Sequence, residues 1–164
     1  MRTFPRTLLV ALAGLGLTLV PLTSAGAATG GNRTPVDDVG IFVVHDLCAF
    51  PVTITAHVVG AQTQVETGQG SIVRVHLNET DVYTANGNTV GGTYTFEIQV
   101  TMDQDGNTVG GFQTGVIVRI PLPNGVVFQV SGRADSLNAI GDYISAPTHG
   151  VTKNLDALCA YLGA

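Results

Sequence analysis

The feature that most constrains the fold is a strict alternation of apolar and polar residues at positions 93–102. Its apolar members are Tyr94, Phe96, Ile98, Val100 and Met102, and Thr, Glu and Gln stand between them. Because successive side chains of a β-strand point to opposite faces of the sheet, this pattern predicts a half-buried strand. The same period of two recurs at residues 50–59 and 72–77. The sequence therefore predicts an all-β domain.

Further strands and turns are predicted between these segments. The additional strand candidates are residues 41–44, 62–66, 81–85, 113–121 and 126–132. Gly60 is expected to end one strand in a turn, and Asn124-Gly125 predicts a type I′ hairpin with positive φ at both positions. Short connections favour an antiparallel meander of seven or eight strands. We expect this meander to close as a barrel, with a β-sandwich as the alternative.

A six-residue motif, GNTVGG, occurs twice, at residues 87–92 and 106–111. Each copy precedes a long strand, so we interpret both as successive hairpin corners rather than as a ligand-binding glycine loop. The second copy overlaps residues 103–107, whose DQDGN sequence is similar to the start of a calcium loop. The positions that an EF-hand fills with Gly and Glu are Thr108 and Thr114 here, so a hairpin turn is the favoured interpretation.

The first 27 residues have the composition of a secretory signal peptide. Arg2 and Arg6 precede an uncharged, mostly apolar stretch at residues 7–20. Small residues at positions 25 and 27 provide a cleavage site after Ala27. The apolar stretch is shorter than the roughly 20 residues that a membrane-spanning helix needs. We therefore expect cleavage and secretion to the extracellular space, without membrane anchoring.

Cleavage after residue 27 would leave a chain long enough for one domain with its own core. Residues 28–40 are small, polar and turn-forming, and we expect them to form a flexible N-terminal arm. Residues 41–164 then form a single β-domain that ends in a helix. A long loop is expected at residues 134–150, ahead of that helix.

The C-terminal segment has a different periodicity. Its apolar residues recur at intervals of three and four, at Leu155, Leu158, Cys159 and Leu162. This spacing predicts a short helix at about residues 153–162, with its apolar face towards the core. Thr152 or Asn154 is expected to cap the start of the helix, and Gly163 to end it.

The two cysteines, Cys48 and Cys159, stand near the two ends of the predicted β-domain. A secretory leader would deliver both to an oxidising compartment, where disulfides persist. We interpret them as one intramolecular disulfide that fastens the helix to the start of the β-domain. Two free thiols and an intermolecular bond are the alternatives. A bond across this separation contributes roughly 4–5 kcal/mol in the chain-entropy model.

The mature chain is acidic. Loss of Arg2 and Arg6 with the leader leaves 5 basic against 12 acidic residues, a formal net charge of −7. Such a surface repels phosphate groups and anionic lipids, which argues against nucleic acid and membrane surfaces as partners.

Several short motifs together resemble a group of small exported actinobacterial β-proteins with two cysteines. The motifs are DLCAFPV at residues 46–52, SGR at 131–133 and DALCAYL at 156–162, around a middle rich in Gly and Thr. The resemblance covers most of the mature chain. It implies secretion and a two-cysteine β-domain, and it implies no activity.

Polar residues of the predicted strands form the candidate site. The cluster consists of His57, Arg74, His76 and Glu97. We hypothesise that the two histidines converge with Glu66 or Glu97 as metal ligands. Two separate histidines on a solvated strand face are the simpler explanation. The sequence contains no Gly-x-Ser-x-Gly motif, and it predicts no catalytic residue, no cofactor and no defined metal site.

The sequence favours a secreted, non-enzymatic binding or interaction protein, whose partner is an unidentified small molecule or extracellular protein. The alternative is an extracellular enzyme with a site assembled from dispersed strand residues, the candidate cluster first among them. An interior filled by Phe96, Ile98, Val118 and Phe128 would disfavour an internal site and favour a surface interaction or structural role. The sequence does not predict the oligomeric state.

Overall fold

The computed structural model describes residues 33–135 and 149–164, which form one antiparallel sheet and one short helix. The strands are β1 (Arg33–Val44), β2 (Val52–Thr67), β3 (Gly70–Ala85), β4 (Asn88–Met102), β5 (Thr108–Pro121), β6 (Val127–Ala134) and β7 (His149–Lys153), and the helix is α1 (Leu155–Leu162). Each strand pairs with its neighbours in the sequence. The prediction of an all-β meander with a C-terminal helix is confirmed. The predicted leader and most of the predicted loop at residues 134–150 lie outside the described residues.

The sheet is open, so the predicted closed barrel is not supported. Its strand order runs from β1 to β7, and within the described residues no pairing joins these two edge strands. The seven strands belong to one sheet, so the alternative of a two-sheet sandwich is not observed either. Side-chain alternation within a strand contains no information about which strands pair at the edges. The sequence pattern therefore could not predict whether the sheet closes into a barrel.

One face of the sheet is buried. In β4 the predicted alternation is confirmed, because Tyr94, Phe96, Ile98 and Val100 are all buried. Core residues of β2 to β6 and of α1 belong to one hydrophobic cluster, in which Val52 and Phe128 have no exposed surface. Leu158 and Leu162 of α1 pack on this face, and strand twist allows a long antiparallel sheet to curve over its own core. We call this buried side the core face and the opposite side the outer face.

Several strands are longer than predicted. β1 begins at Arg33, so residues 33–40 belong to a strand, which corrects the predicted flexible arm. β2 continues through Gly60, where we expected a turn, and β3 joins two segments that we expected to be separate. β7 was also missed, because Val151 is the single apolar residue among its five and all five are exposed. In each case pairing with a neighbouring strand extends a segment whose own pattern is weak.

The hairpin turns differ from the prediction in one place. Asn86 and Gly87 both have positive φ, 50° and 85°, as a two-residue type I′ turn requires. At Asn124-Gly125 only the glycine has positive φ, and its N–H donates to the carbonyl of Leu122. The reason is Pro123, whose fixed negative φ favours a type I turn followed by a left-handed glycine. The turn at residues 103–107 has the same form, which confirms the hairpin interpretation of that segment.

The disulfide prediction is confirmed. Cys48 and Cys159 are bonded, with their Cα atoms 5.5 Å apart, and the bond joins the segment before β2 to α1. Leu158 and Leu162 of the helix are completely buried in the core. Asn154 precedes the helix as expected, but its side chain makes no capping bond and instead donates to the carbonyl of Val127. The helix thereby closes one end of the core face.

Candidate functional site

The predicted polar cluster lies on the outer face of the sheet, where the structure brings together two of its four members. His76 and Glu97 are direct neighbours across β3 and β4, with Nε2 and Oε2 2.9 Å apart. Arg74 donates from Nε to the side-chain oxygen of Gln99 at 3.3 Å. These contacts are cross-strand pairs of a solvated sheet, each of which contributes about 0–1 kcal/mol.

His57, the fourth member, lies away from the other three. It stands opposite Thr80 on β3, four residues along the strand from His76. That separation is roughly 13 Å at the usual rise per strand residue. Its Nε2 lies 2.8 Å from Oδ1 of Asp37 on β1 instead. Among the described residues, no three His, Cys, Asp or Glu side chains lie close enough to hold a metal ion.

The core face carries an acidic pair that sequence reasoning missed. Glu79 and Asp81 of β3 have the same orientation as the buried Val75 and Leu77, and Asp81 is only 4% exposed. The hydroxyl of Tyr94 donates to Oδ2 of Asp81 at 2.5 Å. Tyr83 donates to the same oxygen at 3.3 Å. The sequence did contain a signal for this placement, because the two acids follow Val75 and Leu77 at the same spacing of two residues.

Burial decides the protonation of this pair. Desolvation raises the pKa of Glu79 to about 9, and the charge of Asp81 and a hydrogen bond to it act in the same direction. Burial also raises the pKa of Asp81, while hydrogen bonds from Tyr94, Glu79 and Tyr83 lower it. Glu79 therefore keeps its proton at neutral pH. A protonated Glu79 is a hydrogen-bond donor on the same strand face as Asp81, whose Oδ1 has no hydrogen-bond partner among the described residues.

Another buried polar side chain, which lacks hydrogen-bond partners among the described residues, lies further along the core face. Gln113 of β5 is 1% exposed, between Ile98 of β4 and Ala134 of β6. Neither polar atom of its side chain has a hydrogen-bond partner within the described residues. An unpaired buried amide costs about 1–3 kcal/mol, so this position lowers the stability of the fold.

The outer face of β1 carries an exposed apolar stripe, which we define as Val39, Ile41 and Val43. Their exposures are 60%, 68% and 50%, the largest of them at the centre. β1 is an edge strand of 12 residues, and in the described part of the chain it pairs with β2 alone. An exposed stripe on a long unpaired edge is typical of a surface that binds another strand.

The core face of β1 is incompletely covered as well. Val36, Phe42 and Val44 are only partly buried, whereas the core-face residues of β2, such as Val52 and Val58, are buried. The hydrophobic core therefore reaches solvent at the β1 edge. Both faces of this strand would lose exposed apolar surface if another strand lay beside it.

No family model, no curated protein and no solved structure matches the chain. No helix in residues 33–135 and 149–164 is long and apolar enough to cross a membrane.

Proposed function

We propose that the protein is an exported, non-enzymatic interaction protein that binds an extended polypeptide segment along the free edge of β1. The observation that carries this proposal is the exposed stripe of Val39, Ile41 and Val43 on an edge strand that, among the described residues, is paired on one side only. An exposed edge presents a row of backbone N–H and C=O groups, and only another extended chain matches their spacing. Strand addition of this kind is a general mode of peptide recognition.

The packing of the interior supports a surface site rather than an internal one. Phe96, Ile98, Val118 and Phe128 are all buried in the hydrophobic core. An interior filled by these side chains disfavours an internal ligand or enzyme site. The acidic pair does not change this conclusion, because Oδ1 of Asp81 has almost no accessible surface. We assign the pair to the core.

Export is supported by two features of the chain. The N-terminal 27 residues have the charge and apolar pattern of a secretory leader. The Cys48–Cys159 disulfide is the form in which two cysteines persist in an oxidising compartment.

The proposal is tested with a labelled synthetic peptide of residues 52–63, the segment that β1 already pairs with along its other edge. The mature protein at nanomolar concentration is titrated with excess peptide, and binding is followed by fluorescence anisotropy. We expect saturable binding that a scrambled peptide does not reproduce. Ile41→Lys should weaken it about tenfold or more, because a charge then stands where an apolar contact is needed.

Val109→Lys is the matched control. Val109 lies on β5 and is 63% exposed, so the change has the same chemistry at a similarly exposed position outside β1. This variant should bind the peptide as the wild type does. A monomeric protein that does not bind the peptide, or equal binding by Ile41→Lys and wild type, would contradict the proposal.

A further inference from the structure

We infer that the strand which occupies the β1 edge is β1 of a second copy of this chain, paired antiparallel about a two-fold axis at Ile41. This inference rests on the proposed strand-pairing function and names its partner. In a symmetric antiparallel pair, each residue faces the residue at the same distance on the other side of the axis. The residues of β1 on one side of the axis must therefore be complementary to those on the other side.

Only one symmetric register places every member of the stripe against an apolar residue. With the axis at Ile41, Ile41 faces its own copy, and Val39 faces Val43 of the second copy. A shift of the axis to Gly40 sets Val43 against Asp37, and a shift to Phe42 sets Val39 against His45. Directly opposite side chains on one face are the contacts that stabilise a strand pair, so the register at Ile41 is favoured.

The same register sets no like charges against each other. With the axis at Ile41, Asp37, which already lies 2.8 Å from His57 of its own chain, faces His45 of the second copy, one residue beyond the end of β1. Like charges in directly facing positions would destabilise a strand pair. No residues of like charge face each other between positions 37 and 45.

The backbone of β1 fits the pairing too. Within β1 the paired segment would run from residue 38 to 44, so Pro35, which lacks an N–H donor, lies outside it. On the core face, the partly buried Phe42 would face Gly40 of the second copy and be covered by the joined sheet, while Val44 would face Asp38. The opposite edge strand, β7, has only five residues and ends at Lys153, features that discourage strand addition.

Solution mass tests the inference. Sedimentation equilibrium of the mature protein should give a dimer, Ile41→Lys should give a monomer, and Val109→Lys should remain a dimer. Ile41→Lys places two lysines opposite each other on the axis, which is why this position is the most sensitive. A wild-type monomer that binds the 52–63 peptide would overturn the second-copy partner and leave strand addition standing. A monomer that does not bind the peptide would overturn both.

Cross-linking tests the register. A cysteine at the axis faces its own copy, at the Cα distance of about 4.5–5.5 Å that allows a disulfide. Ile41→Cys should therefore form a covalent dimer on mild oxidation. Val39→Cys alone should remain uncrosslinked, and a mixture of Val39→Cys with Val43→Cys should yield the mixed dimer. Efficient cross-linking of Val39→Cys alone, or failure of Ile41→Cys in a dimeric sample, would overturn the register.

Discussion

At the scale of single residues, Glu79 and Asp81 show why part of the structure was hidden from the sequence. The alternation of β3 predicted its buried valines and Leu77, because apolar side chains are reliable markers of a core face. Glu79 and Asp81 continue the same alternation, but carboxyl groups usually indicate an exposed face. They are tolerated inside because Tyr94 and Tyr83 donate to Asp81 and because Glu79 keeps its proton. The hydrogen bond from Tyr94 comes from the neighbouring strand β4, and the spacing of residues within β3 does not reveal it.

The raised pKa of Glu79 predicts that stability falls as pH rises. The folded state holds this proton more tightly than the unfolded chain, so the stabilisation is fully present below pH 4.5 and is lost as pH rises through about 9. Between these values each pH unit costs at most about 1.4 kcal/mol. Urea unfolding of wild type and Glu79→Gln at pH 5, 7 and 9 measures this. We expect a shallower pH dependence in the variant; identical slopes would show that Glu79 does not keep its proton.

At the scale of the elements, Gly60 is a position where the sequence alone led to a wrong prediction. A glycine after a period-two segment is a common turn signal, and we placed a turn there. The structure continues β2 through Gly60, opposite Leu77 of β3. A Cβ atom added at this position would lie 1.9 Å from the carbonyl oxygen of His76. The glycine therefore allows β2 and β3 to approach closely. This role could not be predicted without knowing which strand lies beside it.

This close approach predicts the effect of a single methyl group. Gly60→Ala should destabilise the fold by about 1–3 kcal/mol, because the added carbon forces the backbones of β2 and β3 apart. Gly68→Ala, in the turn between the same strands, is the matched control, since nothing lies within 4 Å of its added carbon. Thermal unfolding of both variants measures the difference. Equal melting temperatures would contradict the strained contact at Gly60.

At the scale of the whole molecule, the disulfide joins the two ends of the core across 111 positions of sequence. The pairing of the two cysteines could be predicted, because the helical spacing of Leu155, Leu158 and Leu162 places Cys159 on the face of the helix towards the core. The closure of the sheet could not, since it depends on contacts between the first and last strands. The free edge of β1, which carries the proposed function, is a property of this unclosed topology.

Loss of the disulfide should lower stability by roughly 4–5 kcal/mol in the chain-entropy model. Replacing Cys48 and Cys159 together with Ser removes the bond without leaving a lone thiol. Denaturant unfolding of this variant should match that of the reduced wild type, and reductant should leave the variant unchanged. A variant as stable as the oxidised wild type would show that the bond contributes nothing to the folded state.

The disulfide also divides the chain into two covalent parts. The bond and the backbone from Cys48 to Cys159 form a closed ring that contains β2 to β7, and β1 precedes it. β1 is thus a tail that hydrogen bonds to β2 along one side. Because β1 lies outside the ring and, in the described residues, pairs on one side only, we expect its amide hydrogens to exchange with solvent faster than those of β3 and β4. The strand that carries the proposed binding edge is therefore also the described strand that no covalent ring encloses.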